Sequence, residues 1–522
     1  MMKSIAITLL LLIAFENNTS FGYIIDPGPQ IKATNGEVWP RPKFEQKTPK
    51  YFVIDPDNFD FSVIGRTCDI LEDAVVRYKN IIKNTVKSIL RSTLTNYHYH
   101  NKPITQITIN LTSPCEFMPN LTMDEWYYLS GSGNILAHSI WGILRGLETY
   151  SQLITPANNG LLKIRDVRIR DSPRYPHRGL LLDTSRHFME MKTIYDVLDG
   201  MAYNKLNVFH WHIVDDHSFP YQSIKYPELS EKGAYLPDMV YSQNDVASVI
   251  EYARLRGIRV IAEFDVPGHT RSWGNSHPEL LTECGEPYKG KLGPLDPISE
   301  ESYKFMENFI EEIVQVFPDK YMHLGGDEVG FECWDSNSTI RNYTKANNLT
   351  YTHLQKKFME KVTRMATNNS VNPIVWQEAM VENVNMPEGT VVQVWLGDWR
   401  KLFSEFTNAG HHVLLSECWY LDHLSTGGDW LKYYRCEPEN FNGTNEQKKL
   451  VLGGEACMWS EVVNNNNVVQ RIFPRVSATA ERLWSQEFIR DEIDAKRRLE
   501  EHTCRMILRG IPAQPPTGPG IC

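Results

Sequence analysis

Acidic side chains follow a series of short apolar segments in the C-terminal two-thirds of the sequence. Asp183 ends the segment 179–183, and Asp327 and Glu328 follow the segment 321–324. Grouped carboxylates repel one another unless they bind cations, transfer protons or hold hydroxyl groups. The pattern therefore predicts either a metal site or a site for acid–base chemistry at these segment ends. The other acids in this position are Asp215, Asp216, Glu263, Asp265, Glu378, Glu417 and Glu461.

Tryptophans lie near the same segment ends and help to choose between a metal site and a site for acid–base chemistry. A hard cation prefers oxygen ligands and water. A sugar instead offers its hydroxyl groups to carboxylates and its apolar ring face to an indole. One tryptophan is more often part of a core, but several at one place favour a sugar pocket. These tryptophans are Trp211, Trp376, Trp395, Trp419 and Trp459.

His210 and His212 also need interpretation, because they lie two residues apart and so share one face of a strand. With Asp215 they imitate a set of metal ligands. A histidine inside a barrel is more often hydrogen-bonded to a neighbouring strand, and no CxxC spacing accompanies the pair. We therefore predict no metal ion and no cofactor.

Glycoside hydrolysis needs a proton donor for the leaving oxygen, and a nucleophile or base at the anomeric carbon. Glu328 is the acid candidate, since a carboxyl group between apolar walls keeps its proton. Adjacent strand residues point in opposite directions, so Asp327 and Glu328 are not expected to form an acid–nucleophile pair. Two routes remain open: Glu417 is the nucleophile, or the substrate supplies one through a 2-acetamido group.

The elements that position these residues alternate between short strands and amphipathic helices from about residue 167 onward. Ser242 with Asp245 three residues later, for example, predicts the start of one helix. Eight strands arranged in this way favour a (β/α)8 barrel over residues 171–522. A doubly wound sheet is the alternative, but no GxGxxG follows the first strand. Residues 23–170 resemble a small α+β domain.

The N-terminus predicts entry into the secretory pathway. Lys3 precedes an apolar run over residues 5–15, and Ser20 and Gly22 suit a cleavage site, so residues 1–22 resemble a signal peptide. No later stretch has the roughly 18 apolar residues of a membrane span. The net charge of −10 and the lack of a basic block argue against nucleic-acid binding.

Cysteines and glycosylation sequons agree with an oxidising compartment. The expected disulfides pair Cys68 with Cys115, Cys284 with Cys333, and Cys504 with Cys522. Three further cysteines lie within the predicted barrel and are candidates for free thiols: Cys418, Cys436 and Cys457. The sequons lie at Asn110, Asn120, Asn337, Asn342, Asn348, Asn368 and Asn442.

Four motifs resemble those of glycoside hydrolase family 20, and in particular its lysosomal β-N-acetylhexosaminidases. They are HRGLLLDTSR at residues 177–186, HWHIVDD at 210–216, EFDVPGH at 263–269 and HLGGDE at 323–328. The resemblance implies a (β/α)8 barrel that removes terminal GlcNAc or GalNAc by substrate-assisted catalysis. It extends through the barrel and into the N-terminal domain.

The resemblance also implies roles for individual residues. Glu328 would protonate the leaving oxygen and later activate water, while Asp327 would orient the acetamido group. Tyr420 would bind the acetamido oxygen, and Trp376, Trp395 and Trp459 would enclose its methyl group. Hydroxyl groups would be held by Arg178, Asp422 and Glu461, with support from Asp215 and His269. The alternative for Arg178 is a buried ion pair with an acid.

One position bears on specificity. Asp422 resembles the family's subunits for neutral substrates, whereas His423 matches neither these nor the subunits for anionic substrates. A carboxylate there should disfavour sulfated sugars, and a protonated His423 would partly offset this in an acidic compartment. The resemblance implies a homodimer delivered to the lysosome, with secretion as the alternative. A non-catalytic sugar-binding barrel is the competing hypothesis, but both catalytic acids are present.

Overall fold

The computed structural model describes residues 31–90, 98–100, 103–380, 386–423 and 428–522. The predicted signal peptide, residues 1–22, lies outside these ranges. A closed barrel of eight parallel strands follows a separate mixed sheet, which confirms the predicted fold and excludes the open doubly wound sheet. Among the described helices, none has the length and apolar character needed to cross a bilayer.

The N-terminal domain is a sheet covered by two helices. Its strands run in the order β2-β4-β6-β5-β8-β1-β3, with β7 paired to β8. Helix α2 is buried along its whole length, and its Arg145 donates hydrogen bonds to the carbonyl oxygens of Arg256 and Gly257 in the barrel. The strands are β1 Phe44–Ile54, β2 Asp60–Gly65, β3 His98–Tyr99, β4 Gln106–Leu111, β5 Tyr127–Ser130, β6 Asn134–Ala137, β7 Ile154–Pro156 and β8 Leu162–Asp171, and the helices are α1 Asp69–Asn84 and α2 Ile140–Leu153.

The barrel begins six residues after β8 ends, close to the predicted domain boundary. All eight predicted strands are present. They could be predicted because each is a run of apolar residues between polar loops. A short hairpin that the sequence did not predict, β12 Leu281–Glu283 and β13 Leu292–Leu295, lies outside the barrel. The barrel strands are β9 His177–Asp183, β10 Val208–His212, β11 Arg259–Glu263, β14 Tyr321–His323, β15 Asn372–Trp376, β16 Val391–Val394, β17 His412–Leu415 and β18 Val451–Met458.

Helices between the strands surround the barrel. The capping box at Ser242 forms as predicted: its hydroxyl accepts the Asp245 N–H, and the Asp245 carboxylate accepts the Ser242 N–H. The helices are α3 Met191–Tyr203, α4 Glu228–Gly233, α5 Gln243–Arg254, α6 Glu300–Val316, α7 Phe331–Ser336, α8 Ser338–Ala346, α9 Tyr351–Asn368, α10 Trp399–Asn408, α11 Trp430–Arg435, α12 Asn445–Lys448, α13 Val468–Ile472, α14 Arg475–Trp484 and α15 Glu492–Leu508.

Four disulfides are present. Three join the predicted pairs, Cys68–Cys115, Cys284–Cys333 and Cys504–Cys522. The expectation that Cys418 and Cys436 are free was wrong, because they form a fourth bond that closes the loop after β17. Cys457, buried in β18, remains a free thiol.

The predicted sequons differ in exposure. Asn342, Asn348, Asn368 and Asn442 are exposed, whereas Asn110, Asn120 and Asn337 are partly buried. Asn337 also caps α8 through its Oδ1 and donates from Nδ2 to the Glu283 carbonyl oxygen. A glycan on Asn337 would therefore compete with the hydrogen bonds that join β12 to the start of α8.

Arg178 lies at the N-terminal end of β9, which is the opposite end of the barrel from the acidic residues. It is fully buried. Its guanidinium donates to Glu125 of the N-terminal domain at 2.6 Å and to the carbonyl oxygens of Tyr175 and Lys205. The role implied for Arg178 in holding sugar hydroxyls was therefore wrong, and the alternative of a buried ion pair is correct, with Glu125 as its partner.

We expect Arg178→Met to lower the free energy of unfolding by about 3–5 kcal/mol, because it leaves the buried Glu125 short of one partner. Urea unfolding measures this loss. The KM of the enzyme that remains folded should stay at its wild-type value, since Arg178 is remote from the acidic strand ends. A rise in KM with unchanged stability would contradict this placement.

Candidate active site

Loops at the C-terminal ends of β10, β11 and β14 bring three of the predicted acids to the imidazole of His269, which is itself a predicted site residue. His269 Nδ1 lies 3.3 Å from Asp215 Oδ2. Its Nε2 lies 3.7 Å from both Asp327 Oδ2 and Glu328 Oε2. Asp215, His269, Asp327 and Glu328 therefore form one cluster, as barrel enzymes require of residues from different strands.

The backbone explains how neighbouring acids reach the same imidazole. Strand β14 ends at His323, and the next turn contains Gly325 and Gly326 with φ of 64° and 102°. A Cβ on Gly325 would lie 1.7 Å from Asp265 Oδ1, so only glycine fits. Because Asp327 and Glu328 lie beyond the strand, the expectation that they point in opposite directions was wrong. Glu328 itself has a left-handed φ of 47°.

Asp327 and Glu328 differ in their access to solvent. The side chain of Asp327 is 11% exposed, and that of Glu328 is 60% exposed. Burial and the nearby Asp327 raise the pKa of Asp265 well above its usual value. Asp265 is therefore harder to ionise than an ordinary aspartate, because its charge would lie close to the carboxyl group of Asp327.

Aromatic side chains form a wall beside these acids. Trp376 and Trp459 have ring centroids 6.2 Å apart, and the rings of Trp395 and Tyr420 are stacked at 5.9 Å. They form one cluster with Leu181 and Cys457. This wall contains the four aromatic residues that the family resemblance assigns to the acetamido group.

The other two tryptophans from the sequence prediction do not belong to this wall. Trp211 is buried against Phe209, Tyr241 and Phe317, because the alternation along β10 points it away from the barrel interior. Trp419 is also buried, and its indole donates to the Tyr433 carbonyl oxygen. Both belong to the core between the barrel and its helices.

Arg186 occupies the place that the sequence prediction gave to Arg178. Its guanidinium lies 3.0 Å from Asp183 and 2.9 Å from Asp215. It also lies 5.0 Å from the centre of the Trp459 ring. The same motif contains both arginines, and only Arg186 follows the C-terminal end of its strand. That position was the signal which could have identified it.

Glu378 is a second residue for which no specific role was predicted. Trp395 donates its indole N–H to the Glu378 carboxylate, 3.0 Å from each oxygen. Burial first, and then the negative charge of Asp327, raise the pKa of Glu378 to about 7. It adds a proton-binding group to the aromatic wall.

The remaining predicted residues lie nearer the rim. Glu461 is about half-exposed and lies 3.8 Å from Arg186. Burial raises the pKa of Asp422, and its buried Oδ1 has no hydrogen-bond partner among the described residues. Burial raises the pKa of Glu417, the alternative nucleophile, although Lys432 and Arg400 act in the opposite direction.

An open cavity of about 780 Å³ lies on the solvent side of the acids. Its base includes His269 and Glu328, and one side is the β12–β13 hairpin with its disulfide to α7. A sugar held against the aromatic wall would therefore have room for whatever is attached to it beyond Glu328. Other lining residues are Asp216, Arg271, Tyr288, Lys291 and Glu332.

Imidazoles and carboxylates alternate in the barrel interior below the site. Carboxylate neighbours raise the pKa of His210 to about 10, of His212 to about 9 and of His269 to about 10, despite their burial. The same contacts hold the pKa of Asp215 and Glu455 well below the usual value. His210 and His212 are thus hydrogen-bonded to neighbouring strands, as one interpretation of the sequence expected.

These shifts predict how stability depends on pH. A histidine whose pKa is higher in the folded than in the unfolded chain stabilises the fold fully below about pH 6.5, and this is lost as pH rises through the folded pKa. We therefore expect the free energy of unfolding to fall from about pH 6.5 to about pH 10. Urea unfolding at several pH values measures this. His212→Gln should give a shallower slope, and a flat wild-type profile would contradict the assignment.

Comparison with known proteins agrees with this geometry. Residues 175–487 match the glycosyl hydrolase family 20 catalytic domain, and residues 38–153 match a domain described as beta-acetyl hexosaminidase like. The beta-hexosaminidase subunit beta of Felis catus is 45% identical over 496 residues, covering 92% of this chain and 93% of the relative. The subunit alpha of Mus musculus is 42% identical over 494 residues, covering 92% and 93%.

Solved structures show the same fold. A chitobiase from Flavobacterium johnsoniae is 29% identical with a TM-score of 0.81, covering 91% of this chain and 73% of that one. An exo β-N-acetylglucosaminidase from Vibrio harveyi, solved with N-acetylglucosamine, is 26% identical with a TM-score of 0.77, covering 93% and 79%. The matches span both domains, so the chain belongs to glycosyl hydrolase family 20 and is a glycosidase of the β-hexosaminidase type.

Proposed function

We propose that this protein removes terminal, non-reducing GlcNAc and GalNAc from neutral glycoconjugates, and that the substrate's own acetamido group is the nucleophile. One observation carries the proposal. The exposed Glu328 and the buried Asp327 share His269, with the aromatic wall on one side and the open cavity on the other. An acid thus faces the leaving group, while a fixed charge faces the ring substituent.

The reaction follows from these positions. Glu328 gives its proton to the glycosidic oxygen as the C1–O bond breaks. The acetamido oxygen then bonds to C1 from the other face, which forms an oxazolinium ion. Asp327 balances the positive charge on the acetamido nitrogen. In the second step Glu328 takes a proton from water, the water oxygen bonds to C1, and the acetamido group is released, so the configuration at C1 is retained.

The remaining side chains bind the sugar. The aromatic wall of Trp376, Trp395, Tyr420 and Trp459 encloses the acetamido group. Arg186 and Asp422 bind ring hydroxyl groups; in support, Arg186 lies 5.0 Å from the centre of the Trp459 ring, and Asp422 lies two residues after Tyr420 of the wall. Glu461 binds an outer hydroxyl from the exposed rim.

Two alternatives are less well supported. A conventional retaining enzyme would need Glu417 about 5–5.5 Å from Glu328, yet after burial the charged groups that act most on the pKa of Glu417 are Lys432 and Arg400. A sugar-binding protein without activity would not need a general acid facing an open cavity.

The setting of the enzyme is also a proposal. The relatives are named as subunits, which supports a homodimer, and the predicted signal peptide, sequons and disulfides support the lysosome, with secretion as the alternative. Sedimentation of the purified protein tests the dimer. Immunofluorescence against a lysosomal membrane marker tests the location.

Glu328→Gln should lower kcat on an aryl β-GlcNAc glycoside by about 10²–10⁴-fold, because the amide cannot protonate the leaving oxygen. Steady-state kinetics measures this, and circular dichroism confirms that the fold is intact. Glu332→Gln is the matched control, since Glu332 is an exposed glutamate in the same cavity. Wild-type hydrolysis of the matching aryl β-glucoside, which lacks the acetamido group, would contradict substrate assistance.

Sulfation at the sugar's 6-position should lower kcat/KM by at least about tenfold near neutral pH, because Asp422 repels the added charge. The penalty should shrink at acidic pH, because burial raises the pKa of Asp422 and its carboxylate takes up a proton as the pH falls. The ratio of kcat/KM for neutral and 6-sulfated aryl glycosides at two pH values measures it, and Asp422→Asn should remove both the penalty and its pH dependence. Equal efficiency on both substrates would contradict the preference.

A further inference from the structure

An unbroken series of contacts runs through the barrel interior to the catalytic acids. Its members, in order, are His177, Glu455, His210, Glu263, His212, Asp215 and His269. His177 contacts Glu455 at 2.6 Å, and Glu455 contacts His210 at 2.7 Å. His212 Nε2 then contacts Asp215 at 2.9 Å, and Asp215 contacts His269. Glu263 is the member that joins the lower half of this series to the upper half.

Glu263 is fully buried at the end of β11, and both of its oxygens are used twice. Oε2 lies 3.1 Å from His210 Nε2 and 2.5 Å from His212 Nδ1. Oε1 lies 3.0 Å from His323 Nδ1 and 2.7 Å from Trp376 Nε1. Hydrogen-bond donors from β10 and β15, together with the imidazole of His323 from β14, therefore meet at one carboxylate.

Two of these contacts lead to different parts of the site. Through His212 and Asp215, Glu263 acts on His269, which lies 3.7 Å from both catalytic acids. Through the indole N–H, it fixes the ring plane of Trp376 in the aromatic wall. The acid side and the acetamido side of the pocket thus share one buried anchor.

We infer that Glu263 is a positioning residue for the hydrolysis: its carboxylate sets the orientation of Trp376 and keeps His212 doubly protonated, so that His212 holds Asp215 and His269 in place. This inference rests on the proposed function. A doubly protonated imidazole donates from Nδ1 to Glu263 and from Nε2 to Asp215 at once, whereas a neutral imidazole can donate only one of these bonds.

The charged and titratable neighbours of Glu263 agree with this role. His210 and His212 come from β10 and His323 from β14, while Glu455 of β18 acts through His210. These imidazoles hold the pKa of Glu263 well below its usual value. The charge of Glu263 in turn contributes to the raised pKa of Asp265, on the same side of the site, and to that of Cys457.

Glu263→Gln tests the inference, because it keeps the shape and removes the charge. An amide NH₂ group cannot accept a hydrogen bond, so the two groups that contact one oxygen of Glu263 lose their partner. Without the carboxylate charge, His212 also loses its proton at lower pH. We expect kcat on an aryl β-GlcNAc glycoside to fall at least about tenfold, and the alkaline edge of the kcat–pH profile to move down by about one pH unit or more.

Glu312→Gln is the matched control. Glu312 is also buried and, like Glu263, has four polar contacts: it accepts hydrogen bonds from Tyr221, Ser223 and the N–H groups of Ile224 and Lys225, but it lies on α6 outside the barrel interior. We expect it to lose stability while keeping the wild-type alkaline edge. An equal drop in kcat for both variants with neither edge displaced would show that Glu263 is merely structural and overturn the inference.

Glu263→Asp decides the matter if the glutamine variant does not fold. The aspartate keeps the charge, but its side chain is too short to make all four contacts of Glu263. We therefore expect kcat to fall while the alkaline edge stays at its wild-type position. Unchanged kcat in this variant would overturn the inference. An inactive wild-type enzyme would instead refute the proposed function, and the wild-type measurement in the same series separates these two failures.

Discussion

Charge inside the barrel is the constraint on which the rest of the structure depends. A buried carboxylate is costly unless it is paired and hydrogen-bonded, and this barrel contains several. The solution is strict alternation: Glu455 lies between His177 and His210, and Glu263 between His210 and His212. These carboxylates raise the pKa of His210 and His212, whereas burial lowers that of His177, and the imidazoles in turn hold the pKa of both carboxylates below the usual value. Removing one member would leave the charge of its neighbours uncompensated.

The strand period of two explains where this alternation begins. Near the N-terminal ends of the strands the barrel interior is an apolar layer, which includes Val208 and Ile261. Two residues further along the same strands, on the same face, are His210 and Glu263. Trp376 stands in the same way above Ile374. On these strands the polar residues therefore lie directly above apolar ones, on the side of the catalytic acids. This arrangement lets buried polar groups orient the ring of Trp376, because the ring has a hydrogen-bond partner beneath it.

Sequence patterns predicted the barrel and the end at which its site lies, because both depend on local periodicity. They failed where contacts between distant segments of the chain determine the role of a residue. Arg178 lies at the start of β9 and Arg186 follows its end, and only the pairing of Arg178 with Glu125 of the other domain shows which one is structural. Likewise, nothing local indicates that Cys418 meets Cys436. The pair Gly325 and Gly326 marks a turn, but it does not show that this turn brings both catalytic acids to one imidazole. Residues in regular strands were thus predictable, and residues in turns were not.

The unequal exposure of the catalytic acids follows from the same layering. Asp327 faces the buried side next to His269 and Asp265, whose raised pKa disfavours a second charge there, and this suits a residue that balances a positive intermediate. Glu328 is placed by its left-handed backbone at the edge of the cavity, where it can exchange protons with a leaving group and then with water. A general acid buried beside Asp327 would lack access to water in the second step. An exposed Asp327 would lose much of its electrostatic effect to solvent. The turn at Gly325 and Gly326 is what allows consecutive residues to occupy such different environments.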